Sequence, residues 1–292
     1  MGAIPATGAD LVRQIASTNP ARGSLALWWF GQAGFALRGA GLTALVDPFL
    51  GPHEARLISP AVDPREFSGV DVICCTHEHL DHLDGATVAG VASASPAARV
   101  VVPRPIVPLV TALGIGPERV IGAQPYPEEP PLELGPLRLY GVPARHGVTS
   151  PPAKYDFGFD EPGSNGLYRY LGFVFELNGV RVFHAGDTLA YEGMAERIKQ
   201  LDVDLALLPI NGRDFFRESL GIVGNLSYRE AAELAAAAEV PLVVPMHYDM
   251  FAINRERPGT FVDYLRDTYP FLNTYLFGRY GRFVYSRPEG PR

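Results

Sequence analysis

Apolar positions follow two rhythms along the chain. In the first half they form short, nearly continuous blocks broken by glycine: Leu25 to Phe30, Ala33 to Arg38 after Gly31, and Thr43 to Val46 after Gly39-Ala40-Gly41. Blocks of this length bounded by turn residues predict hairpin strands. Further strands are predicted at Asp71 to Cys75, Val100 to Val102, Leu137 to Val142, Tyr168 to Leu177 and Val180 to His184. Asn178-Gly179 between the last two is a type I′ hairpin signal. In the second half strand and helix alternate: a helix over Gly193 to Gln200, a strand over Leu205 to Pro209, a helix over Ser227 to Ala238, a strand over Leu242 to Val244, a helix over Thr260 to Asp267, and terminal strands within Thr274 to Tyr285. Ser227 and Glu230 form a capping box ahead of an alanine-rich run. Earlier helices are expected at Ala9 to Ser17, at Ala86 to Ala94 with Asp84 as cap, and at Pro105 to Leu113, with Pro105 suited to the first turn and Gly114 closing it. Early strands followed by alternation predict two sheets with helices packed outside. The Pro- and Gly-rich stretches 123–131 and 150–166 read as insertions on one fold.

Composition narrows the function classes. The 292 residues are 47% hydrophobic and 20% charged, enough for a large core. The net charge is -7 and no basic run occurs, so no nucleic-acid partner is expected. The two cysteines, Cys74 and Cys75, are strand neighbours that point to opposite faces, so they do not bridge each other. Met1 to Pro20 lacks a charged segment followed by an apolar one, and no apolar run approaches the ~20 residues that span a bilayer. The expectation is a cytoplasmic protein with no membrane association.

Chemistry concentrates in Thr76-His77-Glu78-His79-Leu80-Asp81-His82, directly after a predicted strand. Imidazole and carboxylate are ligands of zinc, manganese and iron. His77 and His79 are two apart and face the same way in extended chain, so one ion can take both. Asp81 and His82 lie past the bend, in reach of a second ion. Three histidines interleaved with acids at a strand end are hard to explain as packing.

The run resembles the H-x-H-x-D-H signature of the metallo-β-lactamase superfamily. Gly31-Gln32-Ala33-Gly34, Val46-Asp47-Pro48, Pro143-Ala144-Arg145-His146, Ala185-Gly186-Asp187-Thr188 and Pro245-Met246-His247-Tyr248 resemble its other motifs in order. The resemblance implies an α/β fold, a four-layer αββα sandwich of two mixed sheets with helices on both outer faces. It would occupy residues 23–292 as a single domain, after an N-terminal extension with a helix over 1–22. It also implies two divalent metal ions, zinc or manganese with iron as a third option. His77, His79 and His146 would hold the first ion, Asp81, His82 and His247 the second, and Asp187 would bridge them, with Asp81 also the catalytic carboxylate that orients the attacking water and takes its proton. Leu27 to Gly31, Asn211 to Asn225 and Val244 to Phe251 are similar to the L-ascorbate-6-phosphate lactonase group, which implies a lactonase acting on a small anionic substrate, a sugar-phosphate lactone among the options. Alternatives on the same scaffold are a phosphodiesterase and a thioester hydrolase. A redox di-iron branch typically has Glu where this chain has His79. A non-catalytic role would predict a missing ligand, and all seven positions are filled.

Around the ligands, Asp47 and His184 are expected to support metal-binding side chains, a packed strand histidine being the plain alternative for His184. Glu78 alternates away from its histidine neighbours, and His53 lies in a surface loop. Arg145, Lys154, Tyr155, Arg213 and Arg217 are the candidates for gripping an anionic substrate. Each alone is more often a solvated surface residue. The 150–166 insertion fits a cover for the site or a subunit contact, so a homo-oligomer stays open.

Overall fold

The computed structural model of the chain describes residues 6–146, 148–150, 154–156, 165–220, 222 and 224–288. Six strands open the fold: β1 (Ser24–Gly31), β2 (Gly34–Gly39), β3 (Leu42–Val46), β4 (Val72–Cys74), β5 (Arg99–Pro103) and β6 (Val120–Ala123). After them come β7 (Leu132–Leu134), β8 (Leu137–Pro143), β9 (Val148–Ser150), β10 (Lys154–Asp156), β11 (Leu171–Leu177), β12 (Val180–His184), β13 (Leu205–Pro209), β14 (Leu242–Met246), β15 (Asn273–Thr274) and β16 (Arg282–Ser286). The helices are α1 (Gly8–Ser17), α2 (Gly85–Ala94), α3 (Val107–Thr111), α4 (Met194–Gln200), α5 (Phe215–Ser219), α6 (Tyr228–Ala237) and α7 (Pro258–Thr268).

Among the described residues these strands form two seven-stranded mixed sheets, ordered β16-β1-β2-β3-β4-β5-β6 and β15-β14-β13-β12-β11-β8-β7, with β9 and β10 as a separate ribbon. In the first sheet β3 to β6 run parallel, and in the second β12 to β15 do. The continuous apolar run of β1 follows from burial on both faces. Leu25, Leu27 and Trp29 enter the core shared with the second sheet, while Ala26, Trp28 and Phe30 pack beneath helices on the outer side. That outer layer is α1, α2 and α3, through Leu11, Ile15, Val88, Val91 and Val110. On the far side α4, α6 and α7 cover the second sheet through Met194, Ile198, Ala231, Phe261 and Leu265. The four-layer αββα sandwich is therefore present. Cys74 and Cys75 are free and buried, one in each core, as their alternation predicts. No helix among the described residues is long and apolar enough to cross a membrane.

Local signals hold in detail. Asn178 and Gly179 take φ 55° and 83° in the β11–β12 turn. Asp84 accepts from Ala86 N at the start of α2, and the Ser227–Glu230 capping box is formed at α6. Four expectations need correction. The edge strands β6 and β7 fall where no strand was expected, because they are short and half-exposed and carry no clear period. The helix expected over Pro105 to Leu113 is a 3-10 turn over Arg104–Ile106 followed by the single turn of α3, since Pro105 and Pro108 each lack an N–H. Strand β11 begins at Leu171, three residues later than expected. The terminal strands separate, β15 joining one sheet and β16 the other.

Candidate metal centre

Strand direction explains why distant residues meet. Strands β1, β3 and β4 run the same way in the first sheet, and β8, β12 and β14 do in the second. Their carboxyl ends deliver Gln32, Asp47, His77, His146, Asp187 and His247 to one edge, the position where open α/β sheets place their sites. After His77 the chain turns tightly, with the amides of His82 and Leu83 both donating to the His79 carbonyl (2.9 and 2.8 Å). That turn carries Asp81 and His82 around to a second position.

Two groups of donor atoms result, His77, His79, His146 and Asp187 in one, and Asp81, His82 and His247 in the other. In the first group His79 Nδ1 lies 2.9 Å from His77 Nε2 and 3.1 Å from His146 Nε2. In the second His247 Nε2 lies 3.3 Å from Asp81 Oδ2, and His82 Nε2 lies 3.8 Å from it. Asp187 spans both groups: Oδ1 is 3.3 Å from His82 Nε2 and 3.2 Å from His247 Nε2, while Oδ2 is 3.8 Å from His146 Nε2. Ligand bonds of about 2.0–2.1 Å imply donor-to-donor edges of about 2.9–3.4 Å in octahedral or tetrahedral geometry, so most of these spacings are those of a coordination shell. His82 Nε2 and Asp187 Oδ1 are buried and have no hydrogen-bond partner. Buried polar atoms without partners need a reason, and a cation supplies one. The donor types and spacings fit a bound divalent metal.

A hydrogen-bond chain behind the donors fixes the histidine tautomers. Asp47 is fully buried and accepts from Thr76 N and Thr76 Oγ1 (2.7 Å each) and from His82 Nδ1 at 2.6 Å. Thr76 Oγ1 in turn accepts from His77 Nδ1 at 3.1 Å. A proton is thereby held on Nδ1 of both rings, and each Nε2 faces the site. His184 donates from Nε2 to the Ala33 carbonyl (2.8 Å) and accepts at Nδ1 from Gly186 N (3.1 Å), so it fastens the Gly186-Asp187 turn to the β1–β2 turn. Gly186 sits at φ 62°, and a Cβ there would come within 2.9 Å of the Thr76 side chain.

Electrostatics separate the two groups. Burial pushes His77 and His79 below the usual histidine range and His146 down to about 3, so all three keep a free lone pair at neutral pH. Burial acts the same way on His82 and His247, but Asp187 with Asp47 and Asp81 outweighs it at His82, and Asp187 with Asp81 outweighs it at His247; both are raised. Burial raises Asp81 and Asp187, yet His82 and His247 hold both carboxyls well below the ordinary range. The second group thus carries positive charge between its carboxylates when no cation does so.

A family profile described as "Beta-lactamase superfamily domain" matches residues 43–248. The chain belongs to the beta-lactamase superfamily. Within it, a protein named UPF0173 metal-dependent hydrolase from Thermococcus onnurineus is 31% identical over 229 residues, covering 76% of this chain and 83% of that one. A protein of the same name from Pyrobaculum calidifontis is 31% identical over 236 residues, covering 80% and 88%. Neither name specifies a substrate. Two solved structures share the fold: Igni18, a metallo hydrolase from Ignicoccus hospitalis (TM-score 0.67, 21% identity, 91% of this chain and 100% of that one), and an isothiocyanate hydrolase from Delia radicum gut bacteria (TM-score 0.69, 15% identity, 90% and 100%).

The seven donor candidates thus gather in two groups, while the substrate candidates are placed less uniformly. Arg145 immediately precedes His146, and its amide donates to Thr188 Oγ1 at 2.9 Å. Arg213 makes paired 2.8 Å bonds to Glu230, the capping-box acid, and Arg217 binds Asp214, the Asn211 carbonyl and Asn254 Oδ1. Both guanidinium groups tie down the 211–227 loop. Lys154 and Tyr155 lie on β10, paired with Ser150 and Thr149 of β9, and their side chains fall outside the described residues, as does most of the 150–166 insertion. Glu78 accepts from Arg169 Nε at 2.6 Å, off the donor groups, and His53 packs edge-on against Phe49 and Phe251.

Two contributors went unassigned in the sequence. Thr76 is the relay between Asp47 and His77. Gln32 is fully buried, with its amide nitrogen 2.8 Å from Asp81 Oδ2 and 3.0 Å from His247 Nε2. The available signal was polarity: each is a polar residue at the end of an otherwise apolar strand.

Proposed function

We propose that this chain is a metal-dependent hydrolase with a dinuclear centre held by His77, His79, His146, Asp81, His82 and His247 and bridged by Asp187, acting on a small anionic lactone. The observation that carries it is the meeting of seven donor atoms in two adjoining groups that share the Asp187 carboxylate. Zinc and manganese both suit these ligands, with iron a third option. Two divalent ions bound there would supply a water of lowered pKa and Lewis-acid stabilisation of a developing oxyanion. Asp81, kept ionised by His82 and His247, orients the attacking water and takes its proton transiently. The oxygen bonds to the lactone carbonyl carbon, the ring C–O bond breaks, and the leaving alkoxide takes up a proton. Asp47 and Thr76 hold His82 and His77 in the ligating tautomer throughout. Arg145, directly before His146, is the cation proposed to meet an anionic substrate. Arg213 and Arg217 act through the loop they brace, and Lys154 and Tyr155 are further candidates. The lactone assignment rests on the likeness of Leu27–Gly31, Asn211–Asn225 and Val244–Phe251 to the lactonase group.

The test is metal analysis of protein purified without added metal, combined with a panel of lactones, phosphodiesters and thioesters. Two ions per chain and lactone turnover are expected, and Asp187→Ala should abolish turnover and reduce bound metal. Full activity of Asp187→Ala would sink the dinuclear assignment. Turnover of phosphodiesters or thioesters without lactones would overturn the substrate.

A further inference from the structure

The β1–β2 turn is built around an unusual choice. Its sequence is Gly31-Gln32-Ala33-Gly34, and Gln32 sits at φ 50° although glycine takes that conformation without cost. A non-glycine residue held there is strained, and the surrounding contacts must hold it in place. His247, across the site, is also left-handed at φ 62°. The two are joined through the backbone, His247 N donating to the Gln32 carbonyl at 2.9 Å. That carbonyl also accepts from Trp29 Nε1 at 3.1 Å, and Gln32 N donates to Asp249 Oδ1 at 3.2 Å. The main chain of Gln32 is therefore fixed independently of its side chain.

The side chain is fully buried at the second group of donors. Its amide nitrogen donates to Asp81 Oδ2 at 2.8 Å and lies 3.0 Å from His247 Nε2. Its carbonyl oxygen Oε1 is buried with no hydrogen-bond partner. A buried amide with one half unsatisfied is costly to keep as packing, because an apolar side chain of the same length would avoid the loss. Its other half is spent on Asp81, whose neighbouring imidazoles, His247 at 3.3 Å and His82 at 3.8 Å, both lie farther away than the Gln32 amide. Asp47 is anchored by Thr76; Asp81 has Gln32 in the same position.

We propose that Gln32 is the positioning residue of the second metal subsite: its amide fixes the Asp81 carboxylate against His247 and so sets affinity for the second ion. This rests on the dinuclear reading above. Among the described residues the Gln32 amide hydrogen-bonds to donors of the second group, Asp81 and His247, so the effect is confined to that site. A supporting hydrogen-bond partner of a metal ligand changes metal affinity about 10–100-fold.

The experiment is stepwise metal titration of the full chain against a chromophoric chelator, with cobalt(II) as a spectroscopic probe, for wild type, Gln32→Met and Gln32→Glu. Methionine keeps the length and removes the donor. For Gln32→Met the second-ion affinity is expected to fall by about 10–100-fold, with the first-ion affinity unchanged and an altered visible cobalt spectrum for the second equivalent only. For Gln32→Glu, which puts a third carboxylate beside Asp81 and Asp187, the second ion is expected to bind more tightly than in Gln32→Met. Circular dichroism and urea unfolding of each metal-free variant separate this from misfolding. A folded Gln32→Met that binds both ions as wild type does, with the wild-type cobalt spectrum, overturns the proposal while leaving the dinuclear reading intact. A wild type that takes up fewer than two ions defeats the dinuclear reading and this proposal with it.

Discussion

Replacing Asp47 with Asn exchanges one carboxylate oxygen for an NH2 and disturbs the hydrogen bonds that Oδ2 accepts from Thr76 Oγ1 and His82 Nδ1. Asn tolerates the left-handed backbone of this position, φ 44°, better than Ala does, so the substitution leaves the chain path alone. In the native protein the carboxylate accepts three bonds, two from Thr76 and one from His82 Nδ1. An Asn side chain keeps one acceptor for Thr76 N and presents an NH2 to His82 Nδ1. Two donors then face each other at 2.6 Å. The ring relieves the clash by moving its proton to Nε2, which withdraws the lone pair from the second group. Loss of a charge-assisted hydrogen bond costs about 1.5–3 kcal/mol of stability. Disturbing the partner of a ligating histidine costs about 10–100-fold in metal affinity, or about 1.4–2.8 kcal/mol. Urea unfolding of the metal-free protein reads the first quantity, and competition with a chelator of known affinity reads the second. Asp47→Asn with wild-type values in both would refute the reasoning, since neither the charge nor the tautomer would then matter.

Three further outcomes are expected. The metal-free protein should be most stable near pH 6.5: below that value His77, His79 and His146, all lowered by burial, bind protons more readily when unfolded, so acid destabilises, down to about pH 3 for His146, while the contributions of His82 and His247, both raised, are already complete. Above 6.5 the raised pair loses its stabilisation as pH climbs through its folded values, and a flat profile of unfolding free energy from pH 5 to 8 would contradict this. Gly186→Ala should destabilise by about 1–3 kcal/mol through its φ of 62° and the approach of a Cβ to Thr76, and should weaken metal binding by displacing Asp187; thermal unfolding and metal content together check it. Arg213→Ala, which removes a part-exposed pair with Glu230, should cost at most about 1 kcal/mol of stability. Steady-state kinetics should show KM and kcat moving together as the loop loosens, whereas a rise in KM alone would mean that Arg213 grips substrate directly.

The sequence by itself determined most of the parts. Its apolar periods located the long central strands, and Asn178-Gly179 and Ser227–Glu230 fixed a turn and a cap, because these signals depend on neighbours within a few residues. Its histidine-rich run pointed to a metal site, and the likeness of its other motifs to the superfamily nominated the remaining donors His146, Asp187 and His247. The short edge strands β6 and β7 escaped because half-exposed segments of three or four residues bury too little to leave a pattern. Only the tertiary structure decided what each side chain does with the others. Asp47 and His82 are 35 positions apart, Gln32 and His247 are 215 apart, and nothing local specifies a 2.6 or 3.0 Å contact between them. Arg213 and Arg217 read as substrate cations from their position in the chain, yet their charges are engaged by Glu230 and Asp214, partners that packing of the 211–227 loop supplies. Periodicity reports which face of an element is buried. The relative placement of strand ends, set by how two twisted sheets pack, decides which buried polar atoms meet.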